Sequence, residues 1–380
     1  MLKVQSRKEA EPHQPSAMGG KRAGVVYTKV NKGEPWWTYA CSEDNAVNML
    51  LSVTTVNALT LTCGLLCCGI DAVTMAMGKA ENLKLYVEFA FDTNAGLQDS
   101  LCGRVPRLSQ YLGEKLGDIL NYSANSFAIV DLLVAGPPCP PFSTLGAHFG
   151  IDDVRTSVFW KVLEIIAYQA KRGLRAFVIE NVKGIDVKWG GATKTFLTMV
   201  LEWLAAMVPT FKVVVWRPNS EDFGMAQSRG RIFIAGAKIF NAVTGPFLKL
   251  PEDLPGVVRP MAPLKQFLKG NLPNVSVRSL PPQQLINMKA YKIALRKYIH
   301  DRKYKGQTVC IDVSRKIDGF RGGILWEVCP TFTVKNMELF VISMGEGGKM
   351  DDYTFHRFLD DDERSAIQGF PRSASESGLI

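Results

Sequence analysis

Three short segments of the chain combine reactive side chains with rigid or buried surroundings. Cys139 directly follows an apolar run and stands between prolines, which fix φ and remove backbone donors. Glu180 ends another apolar run, while Arg229 and Arg231 stand two apart at a strand start and therefore point to one side of a sheet. A thiol, a carboxyl group and guanidinium groups can serve as nucleophile, proton carrier and anion binder. Taken singly, each segment also fits a structural role: a packed cysteine in a proline-rich turn, a helix cap or salt bridge, or surface cations.

The elements that must position these groups form a repeating pattern between residues 58 and 240. The pattern predicts strands over residues 59–63, 83–91, 127–134, 175–179, 211–216 and 231–235, and helices over 154–170 and 193–207. Such alternation indicates an α/β fold with a doubly wound, mostly parallel sheet. Ligands bind at the carboxyl ends of parallel strands, where Gly64, Asp92, Cys139 and Glu180 are expected.

Composition narrows the classes of protein and partner. The 380 residues include 45 Lys and Arg against 36 Asp and Glu, so the net charge of +9 favours a polyanionic partner. The eight cysteines show no zinc-type spacing, and we expect no metal site and a reducing compartment. Residues 45–70 carry no charge but many Asn, Ser and Thr, so a membrane span is not predicted.

Taken in order, the three segments resemble the motifs of the DNA (cytosine-5) methyltransferase family. They read PPCPPFS, ENVKGI and QSRGR, and a further segment ending in Gln368-Gly369-Phe370-Pro371 is similar to the late family helix. The resemblance covers residues 58–240 and 325–371. It implies a Rossmann-like methyltransferase sheet with a second, smaller, basic target-recognition domain. We therefore predict a flexible basic arm (1–40), a catalytic domain that binds S-adenosylmethionine (41–240), a target-recognition domain (241–323) and a return to the catalytic domain (324–380).

The resemblance also implies a role for each side chain. Cys139 matches the nucleophile that adds to C6 of cytosine and so activates C5, and Glu180 matches the acid that holds a proton near N3. Asn181 would brace the cysteine loop. Arg229 and Arg231 match the arginine pair of the family, of which Arg231 would contact the base carbonyl or its phosphate and also brace the cysteine loop. The target base must leave the duplex to reach them. Ser143 and Gln227 are predicted beside the nucleic acid, Gln227 also supporting the arginines.

For the cofactor, S-adenosylmethionine, the resemblance implies a site at the first strand ends. Gly64, Asp92, Asp118 and Pro138 are the candidates, with Asp92 facing the ribose and Asp118 the adenine. Residues 62–66 read TCGLL where the family usually has Phe-x-Gly-x-Gly, which puts cofactor affinity in doubt. The last family motif is missing after residue 371: either the chain is truncated, or Asn45 belongs to a relocated copy.

Two alternatives stay open beside a DNA cytosine-C5 methyltransferase. One is a tRNA cytosine-C5 methyltransferase, which we disfavour because the Cys-Phe-Thr signature of that branch is missing; the other is a catalytically weak DNA-binding regulatory relative. A basic helix, here called α3, is predicted over residues 283–304. Its residues Lys292, Arg296 and Lys297, named the α3 cations, are candidates for phosphate contacts. We expect a monomer, located in the nucleus of a eukaryote or the cytoplasm of a bacterium.

Overall fold

The structure is a computed structural model that describes part of the chain. The described residues are 59–69, 73, 83–94, 117–139, 142, 155–188, 191–239, 260–270, 280–298, 302–319, 323–332, 338–344 and 356–370. Residues 1–40, Asn45 and Ser143 lie outside them, so the predictions made for these positions remain predictions. No helix in the described ranges is long and apolar enough to cross a membrane.

The first sheet has six strands in the order β2-β1-β3-β4-β7-β5. The elements of this part of the chain are β1 (Leu59–Leu66), β2 (Leu83–Phe91), β3 (Leu132–Ala135), α1 (Thr156–Ala170), β4 (Ala176–Val182), α2 (Phe196–Met207), β5 (Phe211–Trp216), β6 (Gln227–Ser228) and β7 (Arg231–Lys238). Strand β6 lies outside the six-stranded sheet. Neighbouring strands from β2 to β4 are parallel, whereas β7 runs antiparallel to both β4 and β5. The predicted α/β, mostly parallel sheet is therefore confirmed.

Helices α1 and α2 cover one face of this sheet. Phe159, Val162 and Ile166 of α1 and Val200 of α2 pack with Phe177 and other inward side chains of the strands. Alternate residues of β4 are buried, as expected when one face of a strand meets a helix layer. Helix α2 begins where Thr195 Oγ1 accepts a hydrogen bond from Thr198 N–H at 3.1 Å, which satisfies one of the free donors of the first turn.

Several strand ends differ from the prediction. The bounds of β2 and β5 match it, but β1 continues to Leu66 and β4 continues to Val182. Gly64 and Glu180 were expected after their strands and lie within them instead, because backbone pairing with neighbouring strands extends these two strands. Residues 127–131 precede β3 rather than belonging to it.

A second sheet is antiparallel, with the strand order β12-β11-β8-β9. Its elements, with the short strand β10, are α3 (Pro282–Arg296), β8 (Thr308–Asp312), β9 (Ile324–Trp326), β10 (Cys329–Pro330), β11 (Leu339–Ser343), β12 (His356–Phe358) and α4 (Asp361–Ile367). Tyr291 of α3 packs on Val309 and Ile311, whereas Cys310 faces a second apolar cluster that includes Ile367 of α4. The alternating side chains of β8 thus serve two cores.

Strand β10 joins the two parts of the fold by pairing in parallel with β6. Cys329 lies opposite Gln227, and Pro330 lies opposite Ser228. Since β8 and β9 are hydrogen-bonded neighbours, the predicted domain boundary at residue 323 falls inside the second sheet. Functional division of the chain at that residue stays a prediction.

Candidate active site

The candidate catalytic residues meet at one edge of the first sheet. Parallel strands β3 and β4 end there, and β7 begins there because it runs the other way. Val182 lies opposite Arg231 and Glu180 lies opposite Phe233, so the side chains of Glu180 and Arg231 emerge on the same face. Pairing between β4 and β7 therefore brings together two segments that stand some fifty residues apart in the sequence.

The cysteine loop is held by backbone contacts on several sides. Asn181 Nδ2 donates to Pro137 O at 3.1 Å, and Phe142 N–H donates to Cys139 O at 3.0 Å. The Phe142 ring is buried and stacks on Phe196 with 4.4 Å between ring centroids. Asn181 thus braces the loop as predicted, and Cys139 itself is half-buried.

Gly184 lets this loop approach the end of β4 closely. A Cβ atom added to Gly184 would lie 1.7 Å from Phe142 O, far inside van der Waals contact. Gly184 belongs to a short 3-10 helix, Lys183–Asp186, that directly follows β4. The glycine in ENVKGI is therefore required by the cysteine loop packed against it.

Glu180 and Arg231 form an ion pair in which Arg231 Nε lies 2.6 Å from Glu180 Oε1. The Arg231 side chain is 15% exposed and that of Glu180 33%, so this carboxylate is held rather than freely solvated. Arg231 Nη1 also donates to Gly230 O at 2.9 Å. The pair fixes Glu180 Oε1 and leaves Oε2 turned towards Gly136, 3.9 Å from where a Cβ of that glycine would lie.

Arg229 faces the same group of side chains. Burial and the nearby Arg231 charge lower the pKa of Arg229, while Glu180 and Cys139 act in the opposite direction. These interactions show that the four predicted catalytic groups lie within electrostatic reach of one another. The site therefore combines a thiol, a carboxylate and two guanidinium groups at a single sheet edge.

The position of Gln227 contradicts the prediction that it contacts nucleic acid. Its side chain is buried, with 1% exposure, and Nε2 donates to Pro330 O at 3.3 Å. A residue enclosed between β6 and β10 cannot present its amide to a nucleic acid, so the predicted contact is wrong. The side chain of Gln227 binds the backbone of β10, and the other role predicted for it, support of the arginines, stays a prediction.

The cofactor candidates converge at the neighbouring strand ends. The Asp92 carboxylate accepts from Gly69 N–H and from Asn94 N–H, both at 2.9 Å. Asp118 caps a short 3-10 helix, Ile119–Asn121, by accepting from Leu120 N–H at 3.0 Å. Pro138 is half-buried directly before Cys139. The carboxylates hold their own loops, and each oxygen retains a lone pair for a hydroxyl or amine donor.

The structure corrects the predicted position of Gly64. It lies inside β1, opposite Phe89, and an added Cβ would come within 2.1 Å of the Phe89 ring. The missing side chain at residue 64 thus makes room for an aromatic ring of β2. Packing between strands explains this glycine, and the turn after β1 is made by residues beyond Leu66.

Cys67, which the sequence did not single out, occupies that turn. Its φ of 52° is in the left-handed region that favours glycine, and Cys67 O lies 3.2 Å from an added Cβ of Gly136. Burial first, then the charges of Asp92 and Asp118, raise the pKa of its thiol to about 12. Cys67 therefore places a neutral thiol beside both predicted cofactor carboxylates.

The predicted phosphate-contacting residues lie elsewhere in the fold. Among the α3 cations, Lys292 is half-buried, whereas Arg296 and Lys297 are exposed at the end of the helix. Nothing in the described residues brings them into the site around Cys139. Within the same ranges, no three His, Cys, Asp or Glu side chains are grouped so that they could hold a metal ion.

Comparison with known proteins identifies a family that this chain matches. A family model for the C-5 cytosine-specific DNA methylase matches residues 61–375. The type II methyltransferase M.NlaIV of Neisseria lactamica is 31% identical over 44% of this chain and 39% of its own, and M.NgoBV of Neisseria gonorrhoeae is 27% identical over 55% and 52%. The chain thus matches about half, or less, of the length of these relatives.

A solved structure, titled a putative DNA modification methyltransferase encoded within a prophage of E. coli, is 15% identical with a TM-score of 0.48. It covers 82% of this chain and 89% of its own. The family model extends over both sheets and includes all three motifs around the candidate site. On that match, this chain belongs to the C-5 cytosine-specific DNA methylase family.

Proposed function

We propose that the chain transfers a methyl group from S-adenosylmethionine to C5 of a cytosine that has been turned out of a DNA duplex. The observation that carries this proposal is the grouping of Cys139, Glu180, Arg229 and Arg231 at one sheet edge in a chain of this family. The net charge of +9 suits a polyanionic substrate.

The residues present divide the reaction into two easier steps. The Cys139 thiolate forms an Sγ–C6 bond, and the electron pair displaced from the C5–C6 bond makes C5 nucleophilic. Glu180, held by Arg231 at 2.6 Å, keeps a proton at N3 and so stabilises the charge that develops on addition. After C5 has been methylated, a solvent base takes the C5 proton, the C5–H electron pair re-forms the C5–C6 double bond, and the thiolate leaves C6, which restores the aromatic ring.

Arg229 contributes through its charge. Arg229 is half-buried within electrostatic reach of Cys139 and Glu180, so its charge acts where negative charge is present on the thiolate and develops on the substrate. Electrostatic groups that are fixed before the reaction need not reorganise during it. Asn181 keeps Cys139 at its place by holding Pro137 O.

S-adenosylmethionine would supply an electrophilic methyl group, and the cofactor candidates described above fit it. Asp92 and Asp118 offer carboxylate acceptors suited to ribose hydroxyls and an adenine amine. Gly136 lies near both groups of residues, because a Cβ added to it would lie 3.2 Å from Cys67 O and 3.9 Å from Glu180 Oε2. The predicted cofactor side and the catalytic side are therefore neighbours.

Covalent trapping tests the proposal. Wild-type protein, S-adenosylmethionine and a duplex containing 5-fluorocytosine should give a stable adduct at Cys139, because fluorine at C5 cannot leave as a proton does. Cys139→Ala should give none, whereas Cys68→Ala, which removes a thiol from the turn after β1, should still react. No adduct from folded protein that binds the methyl donor would refute the mechanism. Methylation of tRNA but not of duplex DNA would assign the RNA alternative.

A further inference from the structure

We infer that Asn219 is a positioning residue that holds Arg229 and Arg231 at the active-site edge. The inference rests on the proposed function, in which these arginines face the substrate. Asn219 lies in the connection between β5 and β6, where its Oδ1 accepts a hydrogen bond from Arg229 N–H at 2.8 Å. Asn219 also forms an isolated antiparallel bridge with Gly230, the residue between the two arginines.

The backbone neighbours of Asn219 extend this contact along the arginine segment. Arg231 N–H donates to Pro218 O at 2.9 Å, and Ser220 N–H donates to Arg229 O at 3.3 Å. Residues 218–220 thus bind the arginine segment as a short added strand would. Within that strand, Asn219 supplies its side chain to bind the backbone N–H of Arg229.

Strand pairing on either side does not extend to Arg229. On one side, β10 reaches only as far as Ser228, whose carbonyl accepts from Thr331 Oγ1 at 2.7 Å. On the other side, pairing between β4 and β7 begins at Arg231, opposite Val182. Arg229 and Gly230 lie in the gap between these two sets of pairs. Arg231 Nη1 holds Gly230 O, whereas, among the described residues, the hydrogen bonds to the backbone of Arg229 come from Asn219 and Ser220.

The amide of Asn219 is itself oriented by its surroundings. Nδ2 donates to Glu221 Oε1 at 3.1 Å, which leaves Oδ1 free to face Arg229, and the Asn219 N–H donates to Asp222 Oδ2 at 3.3 Å. The backbone is extended, with φ −116° and ψ 140°, a conformation that other residues adopt readily. A change at residue 219 should therefore alter the contact without straining the chain.

The electrostatics explain why Arg229 needs a firm backbone contact. Arg229 is half-buried within electrostatic reach of Arg231, and two like charges repel each other. Arg231 is balanced by Glu180 at 2.6 Å. Without the Asn219 acceptor, repulsion and the demand for solvation would draw Arg229 away from Cys139.

The experiment compares three variants with wild type. Asn219→Leu keeps the size of the side chain and removes both hydrogen bonds. In the double variant Asn219→Asp/Glu221→Gln, the new carboxylate at residue 219 can still accept from Arg229 N–H. The new amide at residue 221 can donate to that carboxylate, which exchanges donor and acceptor in the contact between residues 219 and 221. Asn125→Leu, at an exposed asparagine before β3, is the matched control for the substitution. The readouts are the melting temperature, cofactor affinity, and the single-turnover rate of trapping by a 5-fluorocytosine duplex at saturation.

We expect Asn219→Leu to slow trapping by about tenfold or more and to lower the melting temperature by a few degrees, with cofactor affinity close to wild type. The double variant should recover most of the rate, and Asn125→Leu should match wild type. A rate for Asn219→Leu equal to that of wild type would overturn the inference, and so would failure of the double variant to recover. If wild type itself forms no adduct, the proposed function is wrong and the inference falls with it.

Discussion

Gly184 offers a direct test of how the fold holds the cysteine loop. Substitution by alanine adds one methyl group, and its carbon would lie 1.7 Å from Phe142 O. Real Cβ contacts essentially never fall under 3.0 Å, so these atoms must separate by at least about 1.3 Å (3.0 − 1.7). The obstacle is a backbone carbonyl and cannot rotate away as the end of a flexible side chain could.

The displacement should reach Cys139. Phe142 N–H is bonded to Cys139 O at 3.0 Å, and the Phe142 ring is locked against Phe196, so the strain cannot be relieved by moving Phe142 alone. Overpacking of this kind costs about 1–3 kcal/mol of stability. A misplacement of about 1 Å at a reacting group can lower a rate by about 100-fold.

We therefore predict that Gly184→Ala lowers the trapping rate at saturating duplex and cofactor about 100-fold and lowers unfolding stability by about 1–3 kcal/mol. Urea unfolding and single-turnover trapping measure the two effects separately. Gly270→Ala is the matched control, because an added Cβ there meets nothing within 4 Å. Trapping at the wild-type rate by folded Gly184→Ala would refute the reasoning, since the loop would then tolerate the displacement.

Three further predictions concern the cofactor turn, a buried ion pair and the basic helix. In the folded protein the pKa of the Cys67 thiol is raised to about 12, so this thiol keeps its proton, whereas the unfolded thiol loses its proton above the usual pKa of 9.0. The stability that this group contributes is therefore complete below pH 9 and declines above it. The fall in unfolding free energy between pH 8 and pH 10 should be about 1 kcal/mol larger in wild type than in Cys67→Ala, because only the variant lacks this thiol; equal falls in the two proteins would contradict this. Arg357 and Glu363 form an ion pair whose side chains are 2% and 0% exposed. Arg357→Met should lower the free energy of unfolding in urea by about 3–5 kcal/mol, and Arg357→Met/Glu363→Leu should lower it less, because no unpaired charge remains. Equal losses in the two variants would show that the unpaired charge is not the cause. If the α3 cations contact phosphates, changing all three to glutamine should flatten the dependence of log affinity for duplex on log salt by about 0.9 per contact, and an unchanged slope would place the helix away from DNA.

The general fold and the reactive groups could be predicted because each leaves a local pattern. Alternation of apolar runs and helical spacing indicated the sheet, and β2 and β5 begin and end where their apolar runs do. Cys139 and Glu180 were found because a reactive side chain at the end of an apolar run is unusual. Their motifs also stand in the family order, which indicated that they work together.

The misplaced and missed residues depend on contacts made across long stretches of chain. Gly64 is required by Phe89 of the neighbouring strand, and Gln227 is buried by β10, about one hundred residues further on. Asn219 acquires its role from a bond to Arg229 that no local pattern records. An Asn followed three residues later by Asp indicates only a capped turn, which is indeed present.

The sequence by itself identified the reactive groups, because a thiol, a carboxyl group and two guanidinium groups stand in the motif order of one family. It also determined most of the elements, since spacing of apolar residues decides which face of a strand or helix can be buried. Only the tertiary structure decided which atoms meet. Strand β7 lies antiparallel between β4 and β5 and so brings Arg231 beside Glu180, and close packing on Gly184 fixes the position of the cysteine loop relative to the end of β4. Those distances arise from strand register and close packing, which are properties of the assembled chain.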